Sequence, residues 1–204
     1  MYGVVELSLL SSQISQQDAL EWAGLITGLV YVFLATYERP SCWIFGIISS
    51  ACIAWKSFTD YRLMADVALQ LFYVGIGFYG LWQWMRGDGA AAHKPIQTTS
   101  LIKHSIVIAM AMLLSWPLSI WLIHHADARY GYPDTLLTLL SVWATLLFVR
   151  KDLHNWIYWM VIDLVYTFLY WGTEAYLFAI LFIIYTLISF WGFRRWNREW
   201  KSAG

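Results

Sequence analysis

The amino-acid sequence predicts an all-α integral membrane protein with seven transmembrane helices. Its 204 residues are 60% hydrophobic and only 13% charged, whereas soluble domains carry about 25% charged residues. Apolar runs of roughly 17 to 23 residues, each long enough to cross the ~30 Å hydrocarbon core, occur seven times. These runs cover residues 19–37, 41–57, 62–84, 105–124, 133–149, 153–171 and 174–193.

An internal repeat orders these runs. The group 19–84 aligns with the group 133–196 when the sequence is shifted by 112 or 113 residues, and both third spans end in Gly-x-x-x-Trp. The aligned identities are Trp43 with Trp156, Leu69 with Leu181, Tyr73 with Tyr185, Ile76 with Ile188, Phe78 with Phe190, Gly80 with Gly192 and Trp84 with Trp196. Two groups of three separated by one linker helix predict a 3+1+3 parallel repeat about an axis along the membrane normal, a SWEET-like architecture.

The remaining segments complete the domain organisation. Residues 1–18 precede the first span, and the amphipathic stretch 4–17 within them predicts a position at the membrane surface. Residues 85–132 combine a polar, Gly- and Ala-rich, flexible connector (85–103) with the linker transmembrane helix. Residues 197–204 are expected to form a short tail.

The basic residues predict the orientation in the membrane. Lys56, Arg62 and Arg129 lie at one end of the spans, and the other ten Lys and Arg residues lie at the opposite end. By the positive-inside rule the C-terminus and the connector are cytoplasmic, and the N-terminus is on the periplasmic side. Aromatic residues near the span ends are expected to form interfacial belts; examples are Trp82, Trp84, Trp191, Trp196 and Trp200.

Composition and motifs exclude several function classes. Thirteen basic and thirteen acidic residues balance, and no basic stripe points to nucleic acid. The sequence has no phosphate-binding Gly-rich loop and no nucleophile–base or His-Glu-x-x-His motif, so we expect neither an enzyme nor a cofactor. The pair His124 and His125 lacks further ligands, and Cys42 and Cys52 have no metal-ligand spacing, so no metal is expected.

The candidate binding residues centre on Asp163, which lies deep in an apolar run. A charge at that depth costs at least ~2.5–3.5 kcal/mol, so it usually faces a polar cavity or a partner. Trp156, Trp159 and Tyr166 share its helical face because helix neighbours recur at three and four residues. Two indoles and a carboxylate fit a flat, cationic, aromatic solute through stacking and cation–π attraction. The alternative is an interfacial Trp pair with a buried structural Asp.

The first group supplies further candidates. Trp43, Gly46 and Ser50 align with Trp156, Trp159 and Asp163, so the repeat keeps one indole and lacks the acid. Trp43 and Ser50 are candidate contacts, although small residues such as Gly46 and Ser50 also serve close helix packing. Gln70 in the third span is either an interhelical hydrogen bond or a substrate contact, since an amide donates and accepts. Tyr73, three residues further along, is included with it.

Four short motifs, taken as a set, are characteristic. They are Trp-x-x-Trp-x-x-x at 156–163, Ala-Leu-Gln-Leu-Phe at 68–72, Tyr79-Gly80 before Trp84, and Arg150-Lys151 leading into Asn155-Trp156. Through them the chain resembles the PnuC family of bacterial vitamin transporters over nearly its whole length. The resemblance implies an inner-membrane facilitator with three-one-three helices that forms a homotrimer. It also implies that a cytoplasmic vitamin kinase traps the substrate by phosphorylation.

The substrate expectation depends on one position. Nicotinamide riboside members of that family have Asn where this chain has Asp163. An ionised Asp only accepts hydrogen bonds, so it suits a cation or an amine donor. Thiamine offers both and is carried by relatives in the same family, so thiamine is the expected substrate. In this interpretation Trp156 and Trp159 stack, Asp163 contacts the amine or the charged ring, and Gln70 gives a facing hydrogen bond.

Other functions stay open at this stage. Nicotinamide riboside, which is also cationic, is the first alternative. A SWEET-like sugar or nucleoside carrier would be favoured if amides dominated the site. A membrane sensor that binds without transporting is a further possibility.

Overall fold

The computed structural model describes residues 2–60, 64–86, 95–126 and 131–203. Within these ranges the chain is helical, apart from turns and an isolated bridge between Gln97 and Asp152. Eight α-helices follow one another: α1 Tyr2–Gln16, α2 Ala19–Thr36, α3 Cys42–Thr59, α4 Met64–Met85, α5 Leu101–Ala126, α6 Gly131–Val149, α7 Asn155–Gly172 and α8 Tyr176–Ala203.

Helices α2 to α8 lie on the seven predicted spans, and α1 is an additional helix. Five of the described helices (α2, α3, α5, α6 and α8) are long and apolar enough to cross a membrane. Much of the outer surface is apolar, with side chains such as Leu113 and Phe168 largely exposed. Such a surface suits lipid rather than water. The chain is a multi-pass, all-α membrane protein, and the exact number of spans stays a prediction.

Two predicted boundaries differ from the structure. Helix α8 continues to Ala203, so residues 197–203 extend the last helix and do not form a separate tail. Helix α5 begins at Leu101, inside the predicted flexible connector. Four residues before this helix, the backbone N–H of Gln97 donates to the backbone oxygen of Lys151 at 3.1 Å. The backbone N–H of Leu153 donates to the backbone oxygen of Gln97 at 2.8 Å, so this end of the connector is held against the α6–α7 turn. Residues 87–94 of the connector lie outside the described residues.

Local signals set the start of α2. The carboxylate of Asp18 accepts from the backbone N–H groups of Leu20 and Glu21, both at 2.9 Å, and the Glu21 carboxylate accepts from the backbone N–H of Asp18. This is a capping box, which satisfies donors that the first turn leaves free. Lys56, near the end of α3, donates to both Asp18 and Asp60 and lowers the pKa of each carboxyl. The ion pairs therefore tie the start of α2 to the end of α3.

The helices pack as two matching groups. In the first helix group (α2–α4), α3 contacts both α2 and α4; in the second helix group (α6–α8), α7 contacts both α6 and α8. Between the groups, α2 contacts α8 and α4 contacts α6. These two contacts are equivalent in the repeat, because α2 corresponds to α6 and α4 corresponds to α8. Helix α5 packs against α4 and α6, and α1 packs against α8.

The shared Gly-x-x-x-Trp motif has a packing role. A Cβ atom on Gly80 would lie 2.5 Å from the ring of Trp43, and one on Gly192 would lie 2.8 Å from the ring of Trp156. Real Cβ atoms essentially never approach so closely. Glycine at both positions therefore lets an indole of the middle helix lie directly against the third helix. The same contact occurs at equivalent places in the two groups.

A further pair of equivalent positions joins the groups. Glu38 and Lys151, which are 113 residues apart, both have left-handed backbones with φ of 54° and 57°. Such φ values are uncommon for residues other than glycine. The Nζ atom of Lys151 donates to Oε2 of Glu38 at 2.7 Å and lies 5.0 Å from the ring centroid of Trp84. This ion pair connects the α2–α3 turn to the α6–α7 turn.

Candidate functional site

A cavity of about 230 Å³ is lined by residues of both helix groups. Ligand pockets for drug-sized molecules have volumes of about 300–1,000 Å³, so the cavity suits a small solute. It brings together seven of the eight predicted site residues: Trp43, Ser50, Gln70, Tyr73, Trp156, Trp159 and Asp163.

The eighth predicted residue, Tyr166, is not part of the cavity lining. Its hydroxyl donates to Oδ1 of Asp134 at 3.0 Å, and its ring packs 5.1 Å from that of Phe182. Spacing along a helix restricts a side chain to a broad face only. At this position the neighbouring helix α6 offers a hydrogen-bond acceptor, and the tyrosine is directed towards it.

Asp163 is buried in the cavity wall, with 4% of its surface exposed. The Ser189 hydroxyl is 3.5 Å from its Oδ2 atom, a long hydrogen bond. Among the described residues, no Lys, Arg or His forms an ion pair with it. A carboxylate inside a membrane protein normally has a partner. This one is therefore available to a cation or to N–H donors of a solute.

The two indoles of the motif have different surroundings. Trp156 is 2% exposed, lies against Gly192, and packs edge-on against Trp196 at 5.4 Å. Trp159 is half-buried and lines the cavity. No aromatic ring packs against it within the described part of the chain. Trp159 is therefore the better placed of the two to stack on a solute.

Trp196 does not lie in an interfacial belt, where the sequence predicts it. It is fully buried and stacks on Phe148 at a centroid distance of 5.9 Å. Helix α8 continues past this position, so position 196 faces the bundle and not its end. We call the following five rings the aromatic cluster: Trp43, Trp84, Phe148, Trp156 and Trp196.

The first helix group adds polar side chains to the cavity. The amide of Gln70 donates to Asp66 at 3.4 Å, and Asp66 also accepts from Ser57. The hydroxyl of Tyr73 is 2.6 Å from that of Ser141. Gln70 and Tyr73 are thus positioned by neighbours while they line the cavity.

Sequence reasoning missed several lining residues, including Tyr31, Phe148, Asn155, Tyr185 and Ser189. The repeat could have indicated Tyr185, because it aligns with the candidate Tyr73. Asn155 directly precedes the Trp motif. The others reach the cavity through helix packing, and no sequence pattern marks them.

A membrane-embedded bundle with two equivalent helix groups around a small aromatic cavity defines the class of small-solute transporters. Residues 18–198 match the family model described as nicotinamide mononucleotide transporter. The chain belongs to this family, the PnuC transporters, whose members are not enzymes. The resemblance read from its motifs is confirmed.

Individual relatives agree with the family match. The chain is 23% identical over 210 residues to the nicotinamide riboside transporters PnuC of Escherichia coli (strain K12) and Shigella flexneri, covering 91% of this chain and 87% of the relative. It is 21% identical to that of Neisseria mucosa over 184 residues, covering 85% and 70%. The crystal structure of the vitamin B3 transporter PnuC matches with a TM-score of 0.71 at 21% identity, covering 99% of this chain and 92% of that one, and shows the same fold.

These relatives favour the nicotinamide riboside alternative over thiamine, which was the first expectation. The expectation rested on the difference between Asp and Asn at position 163. A carboxylate complements any solute with a positive charge and N–H donors, and both vitamins have these features. That position alone therefore does not discriminate between them.

Proposed function

We propose that the protein carries nicotinamide riboside across the bacterial inner membrane by facilitated diffusion. The observation that carries the proposal is Asp163, a buried carboxylate with no cationic partner among the described residues, in a cavity with aromatic walls. Nicotinamide riboside has a cationic ring and a carboxamide with N–H donors. The names of the relatives support the same substrate.

In this proposal each side chain has a distinct role. Trp159 stacks on the pyridinium ring, an arrangement worth about 0.5–2 kcal/mol as a cation–π contact. Asp163 accepts from the carboxamide N–H. Gln70, from the facing helix group, provides a donor and an acceptor. Trp156 contributes its ring mainly to the aromatic cluster.

Transport requires the cavity to open to each side in turn. We treat the two helix groups as the halves of the 3+1+3 repeat, which move relative to each other about the central site. The contacts between α2 and α8 and between α4 and α6 support this division. The aromatic cluster and the Glu38–Lys151 pair lie at one end of the cavity lining, and both must separate before solute can leave there. The basic-residue distribution assigns that end to the cytoplasm.

The other features implied by the resemblance stay predictions. They are the cytoplasmic kinase that phosphorylates the incoming vitamin, the homotrimer, and the periplasmic N-terminus.

A binding and uptake panel tests the substrate. The purified protein is titrated calorimetrically with nicotinamide riboside, thiamine and uridine, and then reconstituted in liposomes for uptake of the same compounds. We expect nicotinamide riboside to bind most tightly and to equilibrate across the membrane without an imposed ion gradient. Preferential binding of thiamine or uridine would refute the substrate, and binding without uptake would refute the transport function.

A further inference from the structure

The two helix groups meet at two interfaces, α4–α6 and α2–α8, which are equivalent in the repeat. If the same contacts closed both interfaces, opening either one would cost the same free energy. The contacts differ, however, at two pairs of equivalent positions.

The first difference is a hydrogen bond across α4–α6. The hydroxyl of Tyr73 lies 2.6 Å from that of Ser141. Ser141 donates its own hydrogen to the backbone oxygen of Thr138 at 2.8 Å, so Tyr73 is the donor between the two helices. The equivalent positions across α2–α8 are Tyr185 and Gly28. Glycine has no hydroxyl to accept this bond, and a Cβ atom on Gly28 would lie 2.6 Å from the hydroxyl oxygen of Tyr185.

The second difference is an indole hydrogen bond across the same interface. Nε1 of Trp84 on α4 donates to the backbone oxygen of Val149 on α6 at 3.0 Å. The equivalent positions across α2–α8 are Trp196 and Thr36. Within the described residues, Nε1 of Trp196 forms no hydrogen bond. Trp84 also packs against the ring of Phe148 on α6 at a centroid distance of 4.9 Å.

The two hydrogen bonds lie at opposite ends of the cavity wall that α4 and α6 form. The donors Tyr73 and Trp84 are eleven residues apart on α4, which corresponds to about 16 Å along a helix. Ile76 lies between these donors in the sequence, and Thr145 and Phe148 lie between the two acceptors on α6; all three line the cavity. In the predicted orientation the Tyr73 bond is towards the periplasm and the Trp84 bond is towards the cytoplasm.

Aromatic packing holds the other interface. The ring of Trp191 on α8 lies 5.8 Å from that of Phe33 and 5.3 Å from that of Tyr37, at the end of α2. The residue equivalent to Trp191 is Tyr79, whose ring packs instead against Trp82 of its own helix at 5.8 Å. Helices α2 and α8 are also in more extensive contact than α4 and α6.

These contacts respond differently to opening. When water enters an opening interface, it replaces a broken hydrogen bond, so the net free energy of such a bond is small. Water does not replace a packed aromatic contact, because separating the rings exposes apolar surface and loses dispersion attraction. Opening the α4–α6 interface therefore requires less free energy than opening the α2–α8 interface.

We propose that the helix groups separate along the α4–α6 interface while the α2–α8 interface acts as the hinge. The Tyr73–Ser141 hydrogen bond is the latch of the periplasmic end, and the Trp84–Val149 hydrogen bond is the latch of the cytoplasmic end. One latch stays closed while the other opens, as alternating access requires. This inference rests on the proposed function and adds to it an asymmetry that an exact repeat would not have.

The test removes the same atoms at equivalent positions of the two interfaces. The latch variants are Tyr73→Phe and Trp84→Phe, and their matched controls are Tyr185→Phe and Trp196→Phe. Each variant keeps an aromatic ring, but only the latch variants lose a hydrogen bond between α4 and α6. Every protein also carries Ser50→Cys, a reporter in the cavity lining.

The measurement is the rate at which an impermeant maleimide modifies the cysteine at position 50. It is made from the periplasmic side in spheroplasts and from the cytoplasmic side in inverted membrane vesicles. The same proteins without Ser50→Cys give the background from Cys42 and Cys52. Tyr73→Phe should accelerate labelling about twofold to tenfold from the periplasmic side only, as for the loss of one hydrogen bond. Trp84→Phe should do so from the cytoplasmic side only, and both controls should keep the wild-type rates.

The other outcomes refute the inference. Equal acceleration in a latch variant and its matched control would show that both interfaces open alike. Wild-type rates in both latch variants, or acceleration from both sides, would show that these bonds are not latches, and a cysteine at position 50 that stays unlabelled throughout would exclude a gate. Labelling needs no substrate, so a wild type that fails to take up nicotinamide riboside in liposomes refutes the proposed function separately.

Discussion

The ion pair between Glu38 and Lys151 gives the sharpest prediction about the link between the two helix groups. The side chains are 15% and 4% exposed, and the Nζ and Oε2 atoms are 2.7 Å apart. Removing one partner of a buried pair costs about 3–5 kcal/mol, because the remaining charge is buried without compensation. Glu38 keeps some contact with solvent and also contacts Glu199, whereas Lys151 is almost fully buried, so we expect about 3 kcal/mol for Glu38→Gln and a smaller loss for Lys151→Met.

The double variant should behave differently from either single one. Replacing both partners leaves no uncompensated charge, and such replacements are often close to neutral. Methionine at position 151 can also keep a contact with the Trp84 ring. We therefore expect Glu38→Gln/Lys151→Met to be more stable than either single variant, with a favourable coupling energy of at least about 2 kcal/mol in the double-mutant cycle.

The measurement is the free energy of unfolding in detergent micelles, followed by tryptophan fluorescence for the four proteins. Asp60→Asn is the matched control, because it breaks an ion pair of a half-exposed carboxylate with Lys56 inside the first helix group. Exposed pairs contribute little, so the control should lose much less. Additive single losses, or single variants as stable as the control, would refute the inference that this pair couples the two groups.

Four further predictions follow from the described contacts. Trp159→Ala should weaken nicotinamide riboside binding about tenfold in calorimetry. Trp171→Ala, at an exposed position of the same helix, should leave binding unchanged. Equal losses in the two variants would show that Trp159 does not contact the solute. Asp163→Asn should change the dissociation constant of nicotinamide riboside by less than about threefold, because an amide oxygen also accepts from the carboxamide. Asp163→Leu should weaken binding more than about tenfold. An equally large loss with Asp163→Asn would show that the charge itself is required. Gly192→Ala should lower stability by about 1–3 kcal/mol through overpacking against Trp156, and Gly172→Ala, where a Cβ meets nothing within 4 Å, should not; the melting temperatures of the two variants decide this. A cysteine at position 91 should resist impermeant labelling in intact cells, and rapid labelling would reverse the proposed orientation.

The sequence identified many of the cavity residues because an ionisable residue in an apolar run is rare. Asp163 marked the site, and helical spacing linked it to Trp156 and Trp159. The same spacing also selected Tyr166, which the structure directs to Asp134. Periodicity defines a face about a third of a helix wide, and only the neighbouring helix decides which residue of that face lines a cavity.

Composition, the internal repeat and four short motifs by themselves determined the membrane class, the positions of seven helices, and the family. These properties follow from hydrophobic runs, from residue identities at a fixed shift and from short stretches of sequence, all of which are read without knowing how the helices pack. Tertiary structure alone decided that Trp196 is buried, that Glu38 pairs with Lys151, and that Tyr166 donates to Asp134 and not to the cavity. Each of these depends on contacts between residues far apart in the chain, and the way helices pack against one another is not encoded in the pattern of any single helix.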